Sequence, residues 1–194
     1  VIGHVAAPAL RTRTEAGEQV LGDLIADAQL AATRSPDQGG AQVAFMNSGG
    51  IRADLVPGED GAVTFGAIYA IQPFGNRLVT RSYSGRQLLA ILEQQFATET
   101  PRILQVSASL RYGYDLTRPA GSRILDARID GQPIDPDQVY RVTCSNFLVE
   151  GGDGFTAFAA GTDQRDGPQD IDALERHIAA SPRLALPVPD RIRR

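Results

Sequence analysis

The chain has 194 residues and 42% hydrophobic content, so it can bury a sizeable core, and a single domain is the default expectation. Its net charge of -4 and its isoelectric point of about 5.2 argue against a broad nucleic-acid-binding face. All 19 basic side chains are arginine, which excludes a Walker-type phosphate loop and a catalytic lysine.

The first part of the chain predicts a short strand, a long helix and a strand that ends in a polar loop. Residues 1 to about 10 indicate an edge strand. A helix follows, predicted by apolar residues at helical spacing and ended by the turn at 35–40; these residues are Leu21, Leu24, Ile25, Ala28 and Ala31. The apolar run 43–46 predicts a strand, and Thr64 is expected to cap a brief helix that reaches Gln72.

The second part predicts mostly strands. Residues 77–83 alternate as in a half-buried strand, and residues 84–87 match a capping box at the start of a helix. Four strand-like runs follow at 103–107, 109–115, 123–130 and 138–145, with a hairpin signal at Asp130-Gly131. A last helix is expected from about 170 to 180, and residues 191–194 are expected to form a solvated end.

This order of elements predicts the fold class. Helices and strands alternate irregularly, and the central strands are linked by hairpins, which is typical of an α+β fold and not of a doubly wound parallel sheet. The expected architecture is a single compact domain in which helices pack on a mixed sheet. The one cysteine, Cys144, lies in a strand-like run and is expected to be a small buried hydrophobe.

Two glycine-rich loops are the clearest functional signal. Residues 47–52 and 151–155 are each glycine-rich, each predicted to follow a strand directly (43–46 and 142–144), and each carries polar side chains that can face a ligand. Glycine allows sharp turns and a close approach of a ligand. Arg52 offers a planar fork for a phosphate or carboxylate, and Asp153 offers acceptors for hydroxyl groups. Together the loops predict a site for a polyol that carries an anion.

The residues alone leave structural roles open for each of these side chains. Phe74 and Phe147 lie beside such loops and could be core anchors, Arg52 could be a surface arginine, and Asn47 and Asp153 could be turn residues. Catalysis within this chain is not expected, because it has only two histidines, His4 and His177, and no pair of carboxylates that sequence can assign as acid and base.

Five segments, in this order, resemble the C-terminal domain of the 5′-nucleotidase family, which includes bacterial UDP-sugar hydrolases and ecto-5′-nucleotidases. They span nearly the whole chain and are residues 21–28 (LGDLIADA), 47–52 (NSGGIR), 72–76 (QPFGN), 104–107 (LQVS) and 146–155 (NFLVEGGDGF). The sequence departs from the pattern at Ser48, Asp23 and Ala108, where relatives often have Gly, Asn and Gly.

The resemblance implies a role for each site residue. Phe74 and Phe147 would clamp the base, Asn47 would hydrogen-bond its edge, and Asp153 would accept the ribose hydroxyls. Arg52 would reach the phosphate or the ribose. Arg13 would match a second arginine on the phosphate side, although Arg11 competes for that place.

The resemblance also implies a larger parent protein. The chain begins with Val-Ile-Gly-His and has no initiator Met, so Val1 is expected to lie inside a longer protein. An N-terminal metallophosphoesterase domain, absent from this chain, would hold two divalent metals and hydrolyse phosphate esters in nucleotide catabolism. The parent would be a periplasmic, secreted or cell-wall hydrolase, and this chain alone would be inactive. Alternative interpretations are a stand-alone nucleoside- or sugar-binding module and a structural or oligomerisation domain.

Overall fold

A computed structural model describes the whole chain, residues 1–194, as eleven strands and five α-helices. In chain order they are β1 (Gly3–His4), α1 (Val20–Thr33), β2 (Val43–Asn47), β3 (Ala62–Val63), α2 (Phe65–Ile71), β4 (Arg77–Ser84), α3 (Gly85–Gln94), β5 (Leu104–Val106), β6 (Leu110–Tyr114), β7 (Ile124–Ile129), β8 (Gln132–Pro133), β9 (Val139–Ser145), α4 (Asn146–Val149), β10 (Thr162–Gln169), α5 (Asp170–Ala179) and β11 (Ile192–Arg193).

The largest sheet has five strands in the order β10-β4-β9-β2-β5. Strands β2 and β9 are parallel, so their carboxyl ends lie at one edge of the sheet. β4 is antiparallel to β9 and β5 is antiparallel to β2, which places the segments before β4 and β5 at that same edge. The loops that begin at residues 48 and 146 therefore meet the segments that end at residues 76 and 103.

The other strands form two smaller sheets. One has four strands in the order β11-β6-β7-β8, where β11 runs parallel to β6, and the other pairs β1 with β3. With its helices and its mixed sheets the domain is α+β, as the sequence predicts.

Two apolar clusters form most of the core. The larger contains 26 buried residues and includes Leu88, Ile91 and Leu92 of α3. The smaller contains 15 buried residues and brings the apolar stripe of α1 against Ile171, Leu174 and Ile178 of α5. The helix stripes that the spacing predicts are thus buried, except that Ala31 is exposed.

The predicted caps are present. The Ser84 hydroxyl accepts a hydrogen bond from the Gln87 amide, and the Gln87 side chain accepts one from the Ser84 amide, which completes a capping box at α3. The Thr64 hydroxyl accepts from the Ala67 amide at the start of α2. The Asp130-Gly131 turn joins β7 to β8, with positive φ at both residues.

The expectation of a solvated end at 191–194 is wrong for its first two residues. Arg191 and Ile192 are both 4% exposed. Buried Glu18 accepts hydrogen bonds from both of their backbone amides. The Arg191 guanidinium binds both carboxylate oxygens of Asp27 and donates to the Val106 carbonyl. We call Glu18, Asp23, Asp27 and Arg191 the Arg191 cluster.

Strand β10 is absent from the sequence-based prediction, and the terminal strand is shorter than predicted. Residues 162–169 carry no apolar alternation, because β10 is an exposed edge strand that pairs with β4 through its backbone. Of residues 1–10, only Gly3 and His4 form a strand.

Candidate functional site

The two glycine-rich loops meet at the edge of the sheet that the parallel β2–β9 pair defines. Asn47 ends β2, and its side-chain Nδ2 donates a hydrogen bond to Oδ2 of Asp153 at 2.9 Å. The two residues lie 106 positions apart in the chain. Asn47 is nearly buried, so its amide fixes the Asp153 carboxylate, and the second carboxylate oxygen takes part in no hydrogen bond.

The backbone of the second loop requires its unusual sequence. Gly151, Asp153 and Gly154 all have positive φ, with Asp153 at 55°, a region that Gly and Asp tolerate best. Gly152 is required for a different reason, because a Cβ there would lie 2.5 Å from the Phe147 ring. The glycine thus lets the Phe147 ring lie against the loop backbone.

A cleft of about 600 Å³ opens between these loops and the loop before β4. We call it the aromatic cleft. It is lined by Asn47, Gly49, Gly50, Arg52, Phe74, Asn76, Phe147 and Asp153. Five of the site residues named from the sequence therefore lie together at this cleft, namely Asn47, Arg52, Phe74, Phe147 and Asp153. Arg13 does not line it.

The two rings of the aromatic cleft are on the surface. Phe74 is 56% exposed and Phe147 is 39% exposed, whereas Phe45, Phe155 and Phe158 are buried. A core-anchor role would bury the ring, so exposure at a cleft favours contact with a ligand.

Arg52 lies beside the Phe74 ring. Its guanidinium carbon is 5.9 Å from the ring centre, which is within the range of a cation–π contact. Its Nη1 is 3.5 Å from the Gly49 carbonyl oxygen, and no carboxylate pairs with it. The Arg52 guanidinium therefore lies at the cleft without a carboxylate to neutralise its charge.

A second, smaller cleft of about 310 Å³ adjoins the first. We call it the arginine cleft, since it contains Arg13 and Arg102 together with Ser48 and Thr100; it shares Asn47, Gly49 and Asp153 with the aromatic cleft. Arg102 Nη1 donates to the backbone carbonyl of Asp153 at 2.6 Å.

The structure separates the two arginines that compete for one place in the sequence. Arg11 Nε lies 3.3 Å from Asp54 Oδ1, its backbone amide donates to the same oxygen, and it lines neither cleft. Arg13 makes no side-chain hydrogen bond or ion pair with the protein, and lines the arginine cleft.

Gln105 links the segments that carry the site. Its Oε1 accepts from the Gln19 backbone amide at 2.7 Å, and its Nε2 donates to the Gly17 carbonyl at 3.0 Å and to Ser48 Oγ at 3.2 Å. Gly22 makes room for this side chain, because a Cβ there would collide with it. One buried amide thus ties the Arg13 loop, the first glycine-rich loop and β5 together.

Sequence reasoning missed two residues that line the clefts, Asn76 and Arg102, and one that supports them, Gln105. Asn76 belongs to the segment 72–76 that carries the family resemblance, and its place after Gly75 could have suggested it. Arg102 gives no sequence signal, because its partner Asp153 is 51 residues away. Gln105 belongs to the segment 104–107 that carries the family resemblance, but its role is identified only by its three long-range contacts.

The titratable groups with shifted pKa values lie outside both clefts. Burial raises the pKa of Asp23 to about 9 and that of Asp170 to about 6. Burial lowers the pKa of His177, which lines a groove between α1 and α5. The structure contains no group of three or more His, Cys, Asp or Glu side chains arranged to hold a metal ion. None of its helices combines the length and apolarity that crossing a membrane requires.

Comparison with known proteins identifies the domain. The family model described as "5'-nucleotidase, C-terminal domain" matches residues 1–160. The chain belongs to this family. The family is the C-terminal substrate-binding domain of 5′-nucleotidases, which are metal-dependent enzymes whose N-terminal domain binds the metals.

Three relatives of this 5′-nucleotidase C-terminal domain illustrate the similarity. Trifunctional nucleotide phosphoesterase protein YfkN of Bacillus subtilis is 32% identical over 173 residues, covering 84% of this chain and 11% of its own. Cell wall protein Lmo0130 of Listeria monocytogenes is 38% identical over 149 residues, covering 73% and 18%. The solved 5′-nucleotidase precursor from Thermus thermophilus is 35% identical with a TM-score of 0.85, covering 100% of this chain and 39% of that chain.

The chain therefore spans between 11% and 39% of the length of these relatives. The remainder of each relative lies outside the region that this domain matches.

Proposed function

We propose that this domain holds the base and ribose of a nucleotide and presents its phosphate to a dimetal domain that precedes it in a longer protein. Residues 1–194 then form the nucleoside-binding unit. The observation that carries the proposal is the aromatic cleft, in which two exposed rings, a guanidinium and a fixed carboxylate face one volume of about 600 Å³.

The two rings suit a base. Phe74 and Phe147 expose apolar faces on separate loops of one cleft, and every base has a π face on which such a ring can stack. Asn47 and Asn76 supply amide groups that can read the edge of the base. Stacking tolerates several bases, so the domain accepts more than one nucleoside.

Asp153 suits the ribose. Its Oδ2 accepts from Asn47, which leaves Oδ1 to accept a hydrogen bond from a hydroxyl. A carboxylate held in this way prefers a ligand with hydroxyls over one without them, because the latter leaves a polar group unpaired. Arg52 supplies a charged fork for the phosphate.

The chain's contribution to hydrolysis is positioning. Two divalent metals supply the hydrolytic chemistry when bound to the N-terminal domain. The residues described here would hold the nucleoside so that the phosphate lies at those metals, and such orientation lowers a barrier by several kcal/mol. We place the parent protein outside the cytoplasm, as is consistent with a similar protein that is called a cell wall protein.

The test compares adenosine with 2′,3′-dideoxyadenosine by NMR titration of the 194-residue chain. We expect adenosine to bind with a Kd of roughly 0.1–10 mM, since a few hydrogen bonds and one or two stacking contacts give about this affinity. Asp153→Gly should weaken adenosine binding and leave dideoxyadenosine almost unaffected. Glycine is chosen because it accepts the positive φ of this position.

The matched control is Asp130→Gly. Asp130 also has positive φ, is exposed, and lines neither cleft, so its loss should change neither affinity. Equal weakening of both ligands by Asp153→Gly, or resonance shifts confined to residues outside the aromatic cleft, would show that the carboxylate does not hold the ribose.

A further inference from the structure

We propose that Gln105 is a positioning residue for the phosphate end of the bound nucleotide. It ties the Arg13 loop, residues 11–19, to the first glycine-rich loop, so that Arg13 reaches the 5′ phosphate while Asp153 holds the ribose. The inference rests on the proposed function for the places of the base, the ribose and the phosphate. It adds the residue that makes this domain prefer a nucleotide to a nucleoside.

Arg13 depends on its backbone for its position. Its side chain has no hydrogen-bond or ion-pair partner within the protein, although it lines the arginine cleft together with Asn47 and Asp153. A guanidinium without a partner can bind an anion, but it loses conformational freedom when it does so. Affinity for the phosphate therefore rises if the loop that carries Arg13 is fixed before the nucleotide binds.

The Arg13 loop is a narrow hairpin that is braced within itself. Arg13 pairs with Gln19 across the hairpin. The Thr14 amide donates to the Glu18 carbonyl at 2.9 Å, and the Glu18 amide donates to the Thr14 hydroxyl at 3.1 Å. Gly17 closes the turn with a φ of 89°. What remains to be fixed is the place of the whole hairpin relative to the groups that hold the nucleoside.

Gln105 fixes that place from the interior. Its side chain is fully buried, and its amide group contacts the Gln19 amide and the Gly17 carbonyl on the hairpin and Ser48 Oγ on the first glycine-rich loop. Ser48 directly follows Asn47, the residue whose amide holds the Asp153 carboxylate. One side chain thus connects the phosphate side of the site with the ribose side.

The glycine-rich end of this connection is itself anchored. The Ser48 hydroxyl, which accepts from Gln105, donates to the Ile103 carbonyl at 2.9 Å. Two other contacts of the hairpin do not replace the connection. Arg11 Nη1 lies 3.4 Å from the Ile51 carbonyl, but the Arg11 side chain is 45% exposed. The Tyr114 hydroxyl holds the hairpin against β6 and not against the site.

The test measures the affinities of the 194-residue chain for adenosine and adenosine 5′-phosphate by NMR titration at low salt, and their ratio is the phosphate gain. We expect a gain of about tenfold in the native chain, the size of one charge-assisted contact. Arg13→Gln should reduce the gain to about threefold, because Arg52 remains. Gln105→Met should reduce it by a similar factor, although Gln105 lines neither cleft.

The double variant distinguishes positioning from a separate effect on the phosphate. If Gln105 acts through Arg13, the gain in Arg13→Gln/Gln105→Met should equal that in Arg13→Gln alone, since residues that act as one unit are not additive. Losses that add in the double variant, an unchanged gain in Gln105→Met, or an unchanged gain in Arg13→Gln would each overturn the assignment.

The matched control is Gln95→Met. Gln95 is also fully buried, and its amide group accepts from the Leu104 amide and donates to the Leu92 carbonyl and the Tyr112 hydroxyl, so it has no contact with the Arg13 loop. Its loss should destabilise the fold and keep the full phosphate gain. An equal loss of gain in both glutamine variants would mean that destabilisation alone is responsible, and the positioning role would be wrong.

Ser48→Ala supplies the same cycle if Gln105→Met does not fold, because it removes one end of the connection at a half-buried residue. The gain should fall in the native background and should not fall further in the Arg13→Gln background. No loss in the first background, or an equal loss in both, would contradict the assignment.

The two ligands also separate this inference from the proposed function. If adenosine does not bind at the aromatic cleft, the proposed function is wrong and the positioning role falls with it. If adenosine binds there and Arg13→Gln lowers the phosphate gain while Gln105→Met keeps it, the proposed function stands and only the positioning role of Gln105 is wrong.

Discussion

The aromatic cleft and the Arg191 cluster use polar groups in opposite ways. In the Arg191 cluster, Glu18, Asp23 and Arg191 are buried, and the guanidinium is paired with Asp27 and the Val106 carbonyl. In the aromatic cleft, Arg52 has no carboxylate partner and two phenylalanine rings are exposed. Charges that hold the fold are thus paired internally, while charges offered to a ligand remain free at the surface. Changes in the first region should alter stability, and changes in the second should alter binding.

The largest effect is expected for Arg191→Met. The substitution removes the cation from a buried set of acids and takes a donor from Asp27 Oδ2 and from the Val106 carbonyl, while Asp27 Oδ1 keeps only the Ala108 amide. Breaking a buried pair in this way costs about 3–5 kcal/mol, because charge is left uncompensated. The free energy of unfolding from urea denaturation measures the loss.

The control is Arg111→Met, which removes an exposed ion pair with Asp190 that, at 2.8 Å, is nearly as short as the 2.7 Å pair of Arg191 with Asp27. Exposed pairs contribute about 0–1 kcal/mol, so this variant should be nearly as stable as the native chain. Equal losses from the two substitutions would mean that burial does not distinguish the Arg191 cluster from a surface pair.

The next effect is a change in the pH dependence of stability, tested by Asp23→Asn. Burial is the main reason that the Asp23 pKa is raised to about 9, and the hydrogen bond and charge of Glu18 and the charge of Asp27 add to it. The charge of Arg191 acts in the opposite direction. Between about pH 4 and pH 9 the folded state therefore holds a proton that the unfolded state releases. Stability falls with rising pH in that window, by up to about 1.4 kcal/mol per pH unit.

Asparagine resembles the neutral carboxyl group but does not titrate. The stability of Asp23→Asn relative to the native chain should therefore increase from about pH 5 to about pH 8, as measured by urea denaturation at each pH. The Asp170 pKa is also raised, to about 6, so this group too makes stability fall with rising pH. It is present in both chains, and its contribution cancels in the difference between them. Parallel stability curves for the two chains would show that Asp23 is ionised in the folded state.

The same contrast explains how far the sequence could predict the molecule. The local patterns are confirmed: the stripe of α1, the capping box at Ser84 and the strand before the first glycine-rich loop depend on neighbours in the chain. The second glycine-rich loop does not directly follow its strand, because α4 lies between β9 and Gly151. Two errors depended on distant partners. Arg191 is buried because Glu18 and Asp27 lie opposite it, 173 and 164 residues away, and β10 forms because β4 offers a backbone edge.

The same difference between local patterns and distant contacts decides which residues of the candidate site could be predicted. The resemblance and the loop composition together named five residues of the aromatic cleft, since each belongs to a short recognisable segment, but not Asn76. The position of Arg13 could not be predicted, because it depends on Gln105, which ties the Arg13 loop to the sheet through contacts with residues 86 and 88 positions away. Arg102 was missed for the same reason.

The smallest effect on stability should come from Phe147→Ala, which tests the aromatic cleft. The exposed ring contributes little to the core, so the free energy of unfolding should change by about 0.5 kcal/mol. Binding of adenosine, guanosine and cytidine should each weaken by about 1–3 kcal/mol, because a stacking ring reads the π face and not the edge of the base. Titration calorimetry or NMR supplies the affinities.

The control is Phe158→Ala, at a ring with no exposure, which should instead destabilise the fold strongly. If Phe147→Ala unfolds the domain as Phe158→Ala does, or weakens only one base, the ring is a core anchor or an edge reader, and the division between a binding surface and a paired interior fails at this residue.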